Sequence, residues 1–225
     1  MREPIGQRPS GVLLERLKRT QELLAKKVIL EDRFNRPVER IAGLDVGFRS
    51  NGTAVAACVL LAFPELEVLE TALAEMRPKL PYIPGLLAFR EVPVMLKALR
   101  RLKRRPDVVL VDAQGIAHPR RCGEATHLGI VARLPTIGVA KRRLCGQAPF
   151  MPVRPGSWAP LYDEGELLGF VYLSKARCRP LYISPGHMVS FSSTLGLVRT
   201  CLRGHKLPEP TRLAHVEAAK SVRQA

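Results

Sequence analysis

Ile41-Ala-Gly-Leu-Asp-Val-Gly-Phe-Arg-Ser-Asn-Gly-Thr-Ala-Val-Ala-Ala-Cys-Val-Leu-Leu-Ala-Phe63 is the stretch on which the fold of this chain turns. Asn51-Gly52 is a strong hairpin signal, since both residues tolerate the positive φ that a tight turn needs. The apolar runs on either side read as two antiparallel strands, residues 40–48 and 53–63. A third strand, residues 66–75, follows through Pro64-Glu65, again close enough for an antiparallel neighbour. Within Ile41 to Phe48 the one charge is Asp45. A carboxylate in such a strand is costly unless a cation or hydrogen bonds neutralise it.

Beyond the meander comes a Pro-rich connector, Arg77-Pro-Lys-Leu-Pro-Tyr-Ile-Pro-Gly85, then a helical region to about residue 104. Asp107-Val-Val-Leu-Val-Asp112 is a short, nearly all-apolar strand of the kind buried on both faces, and it ends in a second isolated acid. A Gly- and His-containing loop leads to a helix near residues 123–133 and a strand over 136–139. Residues 167–174 and 179–184 read as a further antiparallel pair, followed by helices near 188–203 and 212–222. Upstream, Ser10 can cap a helix over about residues 10–29, with Leu13, Leu14, Leu17, Leu24 and Val28 at helical spacing. This order predicts an α/β fold, a mixed sheet with helices on both faces, as in the ribonuclease H-like fold. No repeat, low-complexity tract or linker divides the 225 residues, so one domain with its core over about 40–222 is expected.

Lys and Arg number 36 against 20 Asp and Glu, a formal charge of +16 that favours a polyanionic partner. The cations cluster over residues 97–105, at Arg120-Arg121 and in Lys141-Arg-Arg143, which points to nucleic acid. Five well-separated cysteines without a Cys-x-x-Cys pair support neither a disulfide framework nor a zinc knuckle. Met1-Arg-Glu-Pro-Ile-Gly6 has no apolar core of a signal peptide, and the apolar stretch 54–63 is too short to span a bilayer. A reduced cytoplasmic protein with no membrane partner is the expectation.

Asp45 and Asp112 fall on the first and fourth strands, neighbours in such a sheet, and Glu91 at the start of the helical region between them. Hard oxygen donors from two or three carboxylates suit Mg²⁺ or Mn²⁺, which take further ligands from phosphate oxygens. In two-metal sites the ions lie about 3.5–4 Å apart and clamp the attacking and leaving oxygens. Sunken acids in a basic chain thus imply metal-assisted chemistry on a polyanion.

Longer motifs extend this reading. Pro81-Tyr-Ile-Pro-Gly-Leu-Leu-Ala-Phe-Arg-Glu91, Val111-Asp-Ala-Gln-Gly-Ile-Ala-His-Pro-Arg-Arg121 and Pro135-Thr-Ile-Gly-Val-Ala-Lys141 resemble the endonuclease V family. So do Ala42-Gly-Leu-Asp-Val-Gly47, Ser184-Pro-Gly-His187 and Leu207-Pro-Glu-Pro-Thr-Arg212. The resemblance implies a Mg²⁺-dependent DNA repair endonuclease for hypoxanthine (deoxyinosine). Such an enzyme cuts the second phosphodiester bond 3′ to the lesion and leaves 3′-hydroxyl and 5′-phosphate ends. By the same resemblance Asp45 and Asp112 are metal ligands, and Glu91 binds a second ion or its water. Lys141 stands near the scissile phosphate, and His215 binds metal or orients the attacking water. Tyr82, held between Pro81, Ile83 and Pro84, is the wedge that replaces an extruded base. Backbone groups around Gly85, Leu87, Ala113 and Glu124 hold that base, with His118 shaping the pocket. His127 and His187 also match family motifs, with hydrogen bonding inside the fold an equal explanation, and His205 reads as surface. Two positions depart from the family pattern: Ala113 where Gly is common and Glu124 where an apolar residue is common.

The readings compatible with these residues are a monomeric nuclease for damaged DNA, an endonuclease for inosine-containing RNA or single strands, and a non-catalytic nucleic-acid-binding module. The intact acids and Lys141 weigh against the last, because binding alone favours removing acids from a phosphate-facing groove. A resolvase- or transposase-like nuclease leaves Tyr82 unexplained.

Overall fold

The computed structural model describes residues 10–223; residues 1–6, read above for a targeting segment, lie outside the described residues. The meander is β1 (Arg40–Phe48), β2 (Ala54–Ala62) and β3 (Val68–Met76), in antiparallel register from Phe48↔Ala54 to Arg40↔Ala62 and onward from Ala54↔Met76. The turn works as the Asn-Gly signal requires, with Gly52 at φ 83° and its N–H donating to Arg49 O. β4 (Val108–Val111) and β5 (Thr136–Ala140) run parallel to β1, and β6 (Trp158–Asp163), β7 (Glu166–Tyr172) and β8 (Leu181–His187) complete a mixed eight-stranded sheet. Its order is β3-β2-β1-β4-β5-β8-β7-β6.

Helices cover both faces. α2 (Ala88–Leu99) and α3 (Glu124–Ala132) seal one layer with Leu44, Leu60, Met95 and Leu128. On the other face α4 (Phe191–Thr200) and α5 (Glu209–Arg223) close over Ile41, Leu61, Leu110 and Ile183. α1 (Gly11–Ala25) begins at the Ser10 cap, whose hydroxyl accepts from Leu13 N–H at 3.3 Å. It ends at Ala25, short of residue 29, and the side chain it buries is Gln21; its leucines are half-buried or exposed.

The sequence reading lacks one strand and starts one helix late. β6 was not foreseen: Pro160 breaks the run Trp158-Ala-Pro-Leu-Tyr-Asp163, and the strand exists because it is an edge strand, where a missing N–H is tolerated. Glu164 (φ 52°) and Gly165 (φ 83°) make the two-residue turn into β7. α5 starts at Glu209, not at 212, because a proline in the first helical turn sacrifices no intrahelical bond.

Period-two alternation places the acids. Asp45 shares the face of Ile41 and Gly43, and Asp112, just past β4, continues the side of Val108 and Leu110; α5 covers this face. α5 lies close enough there that a Cβ on Gly43 would stand 1.9 Å from Pro210 O, whereas one on Gly47 would meet the movable Val222 Cγ2 at 2.9 Å. Gly43→Ala is therefore expected to lower stability by about 3 kcal/mol in a denaturant titration, as backbone has nowhere to yield. Gly47→Ala should cost clearly less, and equal losses for the two would refute this account of α5 docking.

Candidate active site

Parallel pairing of Leu44 with Val111 sets the residues that follow them, Asp45 within β1 and Asp112 just past β4, side by side where β4 ends. His215 reaches them from α5, and one ligand atom from each of the three lies within 4.8 Å of the others. His215 Nδ1 stands 2.7 Å from Asp45 Oδ2, so Nδ1 carries the hydrogen that the carboxylate accepts. Lys141, just past β5, forms an ion pair with Asp112 Oδ2; its own side chain is 39% exposed and that of Asp112 only 4%. Burial pushes the Asp112 carboxyl above its ordinary range and the Asp45 charge pushes it further, while Lys141 and His215 pull it back. Two crowded carboxylates, one of them deeply buried, are relieved by a divalent cation, and this oxygen-rich donor set fits Mg²⁺ or Mn²⁺.

Glu91 enters from the opposite face, in the first turn of α2. It shares a hydrogen bond with Glu124, the first residue of α3 and a buried one. Burial is the main cause that raises both carboxyls, Glu91 to about 7 and Glu124 well above the ordinary glutamate value. Glu124 thus holds the proton and donates it to Glu91. The charges of Asp45 and Asp112 raise Glu91 further, and Arg90 opposes them. Arg90 itself lies over the Phe48 ring at 4.4 Å and donates to Leu80 O, tying α2 to the connector.

Asp45, Glu91, Asp112 and Glu124 line a cleft of about 420 Å³ together with Tyr82, Gly85, Leu87, Ala113, His118 and Lys141, while His215 touches Asp45 without being part of that lining. Tyr82 is 61% exposed at its rim, so it is no packing residue beneath the Pro-rich loop. Pro81, Ile83 and Pro84 flank it without lining the cleft. Gly85 (φ 75°) is held by three donors on its carbonyl: Gln21 Nε2 at 3.1 Å, His118 Nε2 at 3.1 Å and Arg120 Nη2 at 2.7 Å. His118 Nδ1 accepts from Arg120 N–H, which assigns the ring hydrogen to Nε2. Burial, and then the Arg120 charge, lower His118 to about 4, so it stays neutral at physiological pH. Gln21 also donates to Cys122 O and accepts from Arg120 Nε, fastening α1 to the loop before α3.

Sequence reasoning missed Gln21, which carries no charge and sits on a helix whose obvious stripe is leucine. It also misjudged Arg120-Arg121 as part of a nucleic-acid face. Arg120 turns inward to Gly85, and Arg121 pairs with Asp163 at 2.9 Å and Glu166 at 2.6 Å. Among the other histidines, His127 stacks edge-on against Phe89 at 5.0 Å and is lowered to about 4 by burial, and His187 Nδ1 accepts from Ile29 N–H. Neither lines the cleft, and His205 is exposed in a loop.

The sequence profile of the Endonuclease V family matches residues 22–216. The structure is similar to that of endonuclease V from Streptomyces avermitilis, at 33% identity and a TM-score of 0.87 over 99% of this chain and 97% of that one. The catalytic domain of human endonuclease V gives 34% identity and a TM-score of 0.87, covering 96% and 98%. Ciona intestinalis endonuclease V, in complex with a 24mer DNA containing an inosine followed by a ribo-adenosine, gives 28% and 0.85, covering 95% and 99%.

The Glu91 shift has a measurable sign. A carboxyl raised from 4.5 to about 7 on folding binds its proton more tightly in the native state, so stability is lost as pH rises through that window. His118 and His127, lowered on folding, act in the opposite direction, and that contribution is complete above about pH 6.5. In metal-free protein, Glu91→Gln should therefore gain thermal stability relative to wild type as pH goes from 6 to 8. A constant difference across that range would show that Glu91 does not titrate there.

Proposed function

Because this chain belongs to the endonuclease V family, we propose that it is a metal-dependent endonuclease that recognises hypoxanthine in DNA and cuts the second phosphodiester bond on its 3′ side. The observation that carries this reading is the cluster of Asp45, Asp112 and His215, whose two carboxylates line a cleft with an exposed, Pro-flanked tyrosine at its rim. Cleavage chemistry and base extrusion each have their residues within one site.

In this reading Asp45 and Asp112 hold the ion, with Glu91 close by. Bound Mg²⁺ or Mn²⁺ supplies Lewis-acid polarisation of the scissile phosphate and an acidified water. His215, oriented through Nδ1 by Asp45, presents Nε2 to take a proton from the attacking water. Lys141, fixed beside Asp112, neutralises charge growing on the phosphate oxygens. Tyr82 enters the gap left by the extruded base, offsetting an unstacking cost of a few kcal/mol. Backbone groups of Gly85, Leu87, Ala113 and Glu124 read the base, in a pocket that His118 braces through Gly85. Relative to the family pattern, the methyl of Ala113 tightens that pocket.

A second reading, cleavage of inosine-containing RNA, is favoured by one observation: the DNA bound to the Ciona relative carries a ribo-adenosine directly after its inosine. A labelled duplex with one deoxyinosine, made with either deoxy- or ribo-adenosine on its 3′ side, tests both. Cutting of the bond directly 3′ to that adenosine, abolished by EDTA, restored by Mg²⁺ and lost in Asp112→Asn, is the expected result. Full activity in chelator would refute the metal role, and a clear preference for the ribo substrate would make RNA the physiological target. Tyr82→Ala should reduce discrimination between deoxyinosine and undamaged duplex by roughly 5- to 100-fold, the equivalent of about 1–3 kcal/mol of stacking. Equal loss on both duplexes would contradict the wedge.

A further inference from the structure

A second concentration of positive charge lies at the other end of the sheet and takes no part in the site above. Arg100, Lys103, Arg104 and Arg105, between α2 and β4, adjoin Arg33 and Arg40 around two clefts of about 310 and 240 Å³. The clefts share Arg105 and an apolar floor of Pro106 and Leu134. Three elements measure its separation from the carboxylates. Arg40 opens β1 five residues before Asp45, and Asp107 precedes β4 five residues before Asp112, about 17 Å in each case at strand rise. Along α2, nine residues separate Glu91 from Arg100, about 14 Å.

The acids nearby pair with Arg33 and Arg40 or are held by backbone N–H groups, and among the described residues none pairs with Arg100, Lys103 or Arg104. Asp107 Oδ2 accepts from the N–H groups of Glu39 at 3.0 Å and Arg40 at 2.9 Å, and the Glu70 carboxylate accepts from the N–H groups of Lys103 and Arg104. The loop is thereby anchored with its cationic heads outward. Among the described residues the side chains of Arg100, Lys103 and Arg104 make no hydrogen bond or ion pair, and all three are exposed. Arg105 donates to Arg133 O at 2.9 Å, and Arg40 Nε to Arg105 O at 3.0 Å, which stiffens the floor between the clefts.

We propose that this basic surface is a second binding site for the phosphate backbone of nucleic acid. It engages the stretch of duplex that continues beyond the segment seated in the cleft. The inference rests on the nucleic-acid reading of the proposed function, and on three unpaired cationic heads facing a polyanion that such a substrate brings with it. Since the surface lies at the opposite end of β1 and β4 from the cleft, a short, straight duplex seated in the cleft does not meet it, whereas arms of two turns or more, about 34 Å each, can reach it by bending. Pro106 and Leu134 are recessed, and Val131 is the single exposed large apolar side chain lining the two clefts, too little for the apolar centre a protein interface is built around.

The test is the triple variant Arg100→Gln, Lys103→Gln, Arg104→Gln, with binding measured against salt on duplexes carrying a central deoxyinosine and arms of either 5 or 25 base pairs. A lesion-free long duplex runs alongside. The variant is expected to bind both long duplexes about tenfold or more weakly, with a log K against log salt slope reduced by up to roughly 3. Its binding to and cutting of the short duplex stay at wild-type level. An unchanged slope on long duplexes, or an equal loss on short and long, overturns the assignment and leaves the surface to another anionic partner. If wild-type protein fails to cut deoxyinosine while the long-arm loss persists on lesion-free duplex, the lesion reading fails and this one stands.

Discussion

The parallel pairing of β1 with β4 sets everything else in motion, because its register forces two like charges together. Leu44 and Val111 are fully buried partners, and neither strand can slip by one residue without turning its apolar set inside out. Asp45 and Asp112 are thus held close by burial of their neighbours and not by any attraction between them. The protein offsets that repulsion with Lys141 on one carboxylate and His215 on the other. Isolated pairs of this kind bring little stability. Their contribution here is placement, since they fix an ammonium and an imidazole beside the two carboxylates.

Around this strained edge the two faces of the sheet contribute differently. α5 completes the carboxylate cluster, whereas α2 and α3 bring the Glu91–Glu124 pair, in which burial holds one proton between two acids. The loop at Gly85 belongs to neither. Three donors on one carbonyl, from α1 and from the segment before α3, fix its peptide plane before any ligand arrives. Pro81 and Pro84 restrict the chain just upstream. A binding surface so prepared loses little conformational freedom on binding, and more of the contact energy remains as affinity and discrimination.

Much of this could be read from residues alone, and the failures share a cause. Asp45 and Asp112 were legible because a charge inside an apolar strand contradicts its surroundings, and Tyr82 because prolines bracket it. The Asn51-Gly52 turn and the alternation of later elements were enough for the sheet and its helices. Gln21 and Arg120 were not legible, since their partners lie 35 to 101 residues away and polar residues on a helix or in a charge run look solvated by default. β6 was hidden by Pro160, whose meaning depends on whether the strand is at an edge, a fact of topology. α5 was shortened for a similar reason: proline reads as a breaker until its position in the first turn is known.

The close seating of α5 on Gly43 has a consequence for how the protein comes into being. Asp45 and His215 are 170 residues apart in the chain, and Pro210 must come against bare β1 backbone for them to meet. Contacts of such long range are among the slow ones to form. During synthesis the sheet from β1 to β5 can pair and cover its α2–α3 face well before α5 has been made. The nascent protein therefore passes through a stage in which its tyrosine-tipped cleft is largely in place and the imidazole is still absent. At that stage the two carboxylates are already side by side, and the third member of their cluster arrives only when α5 docks.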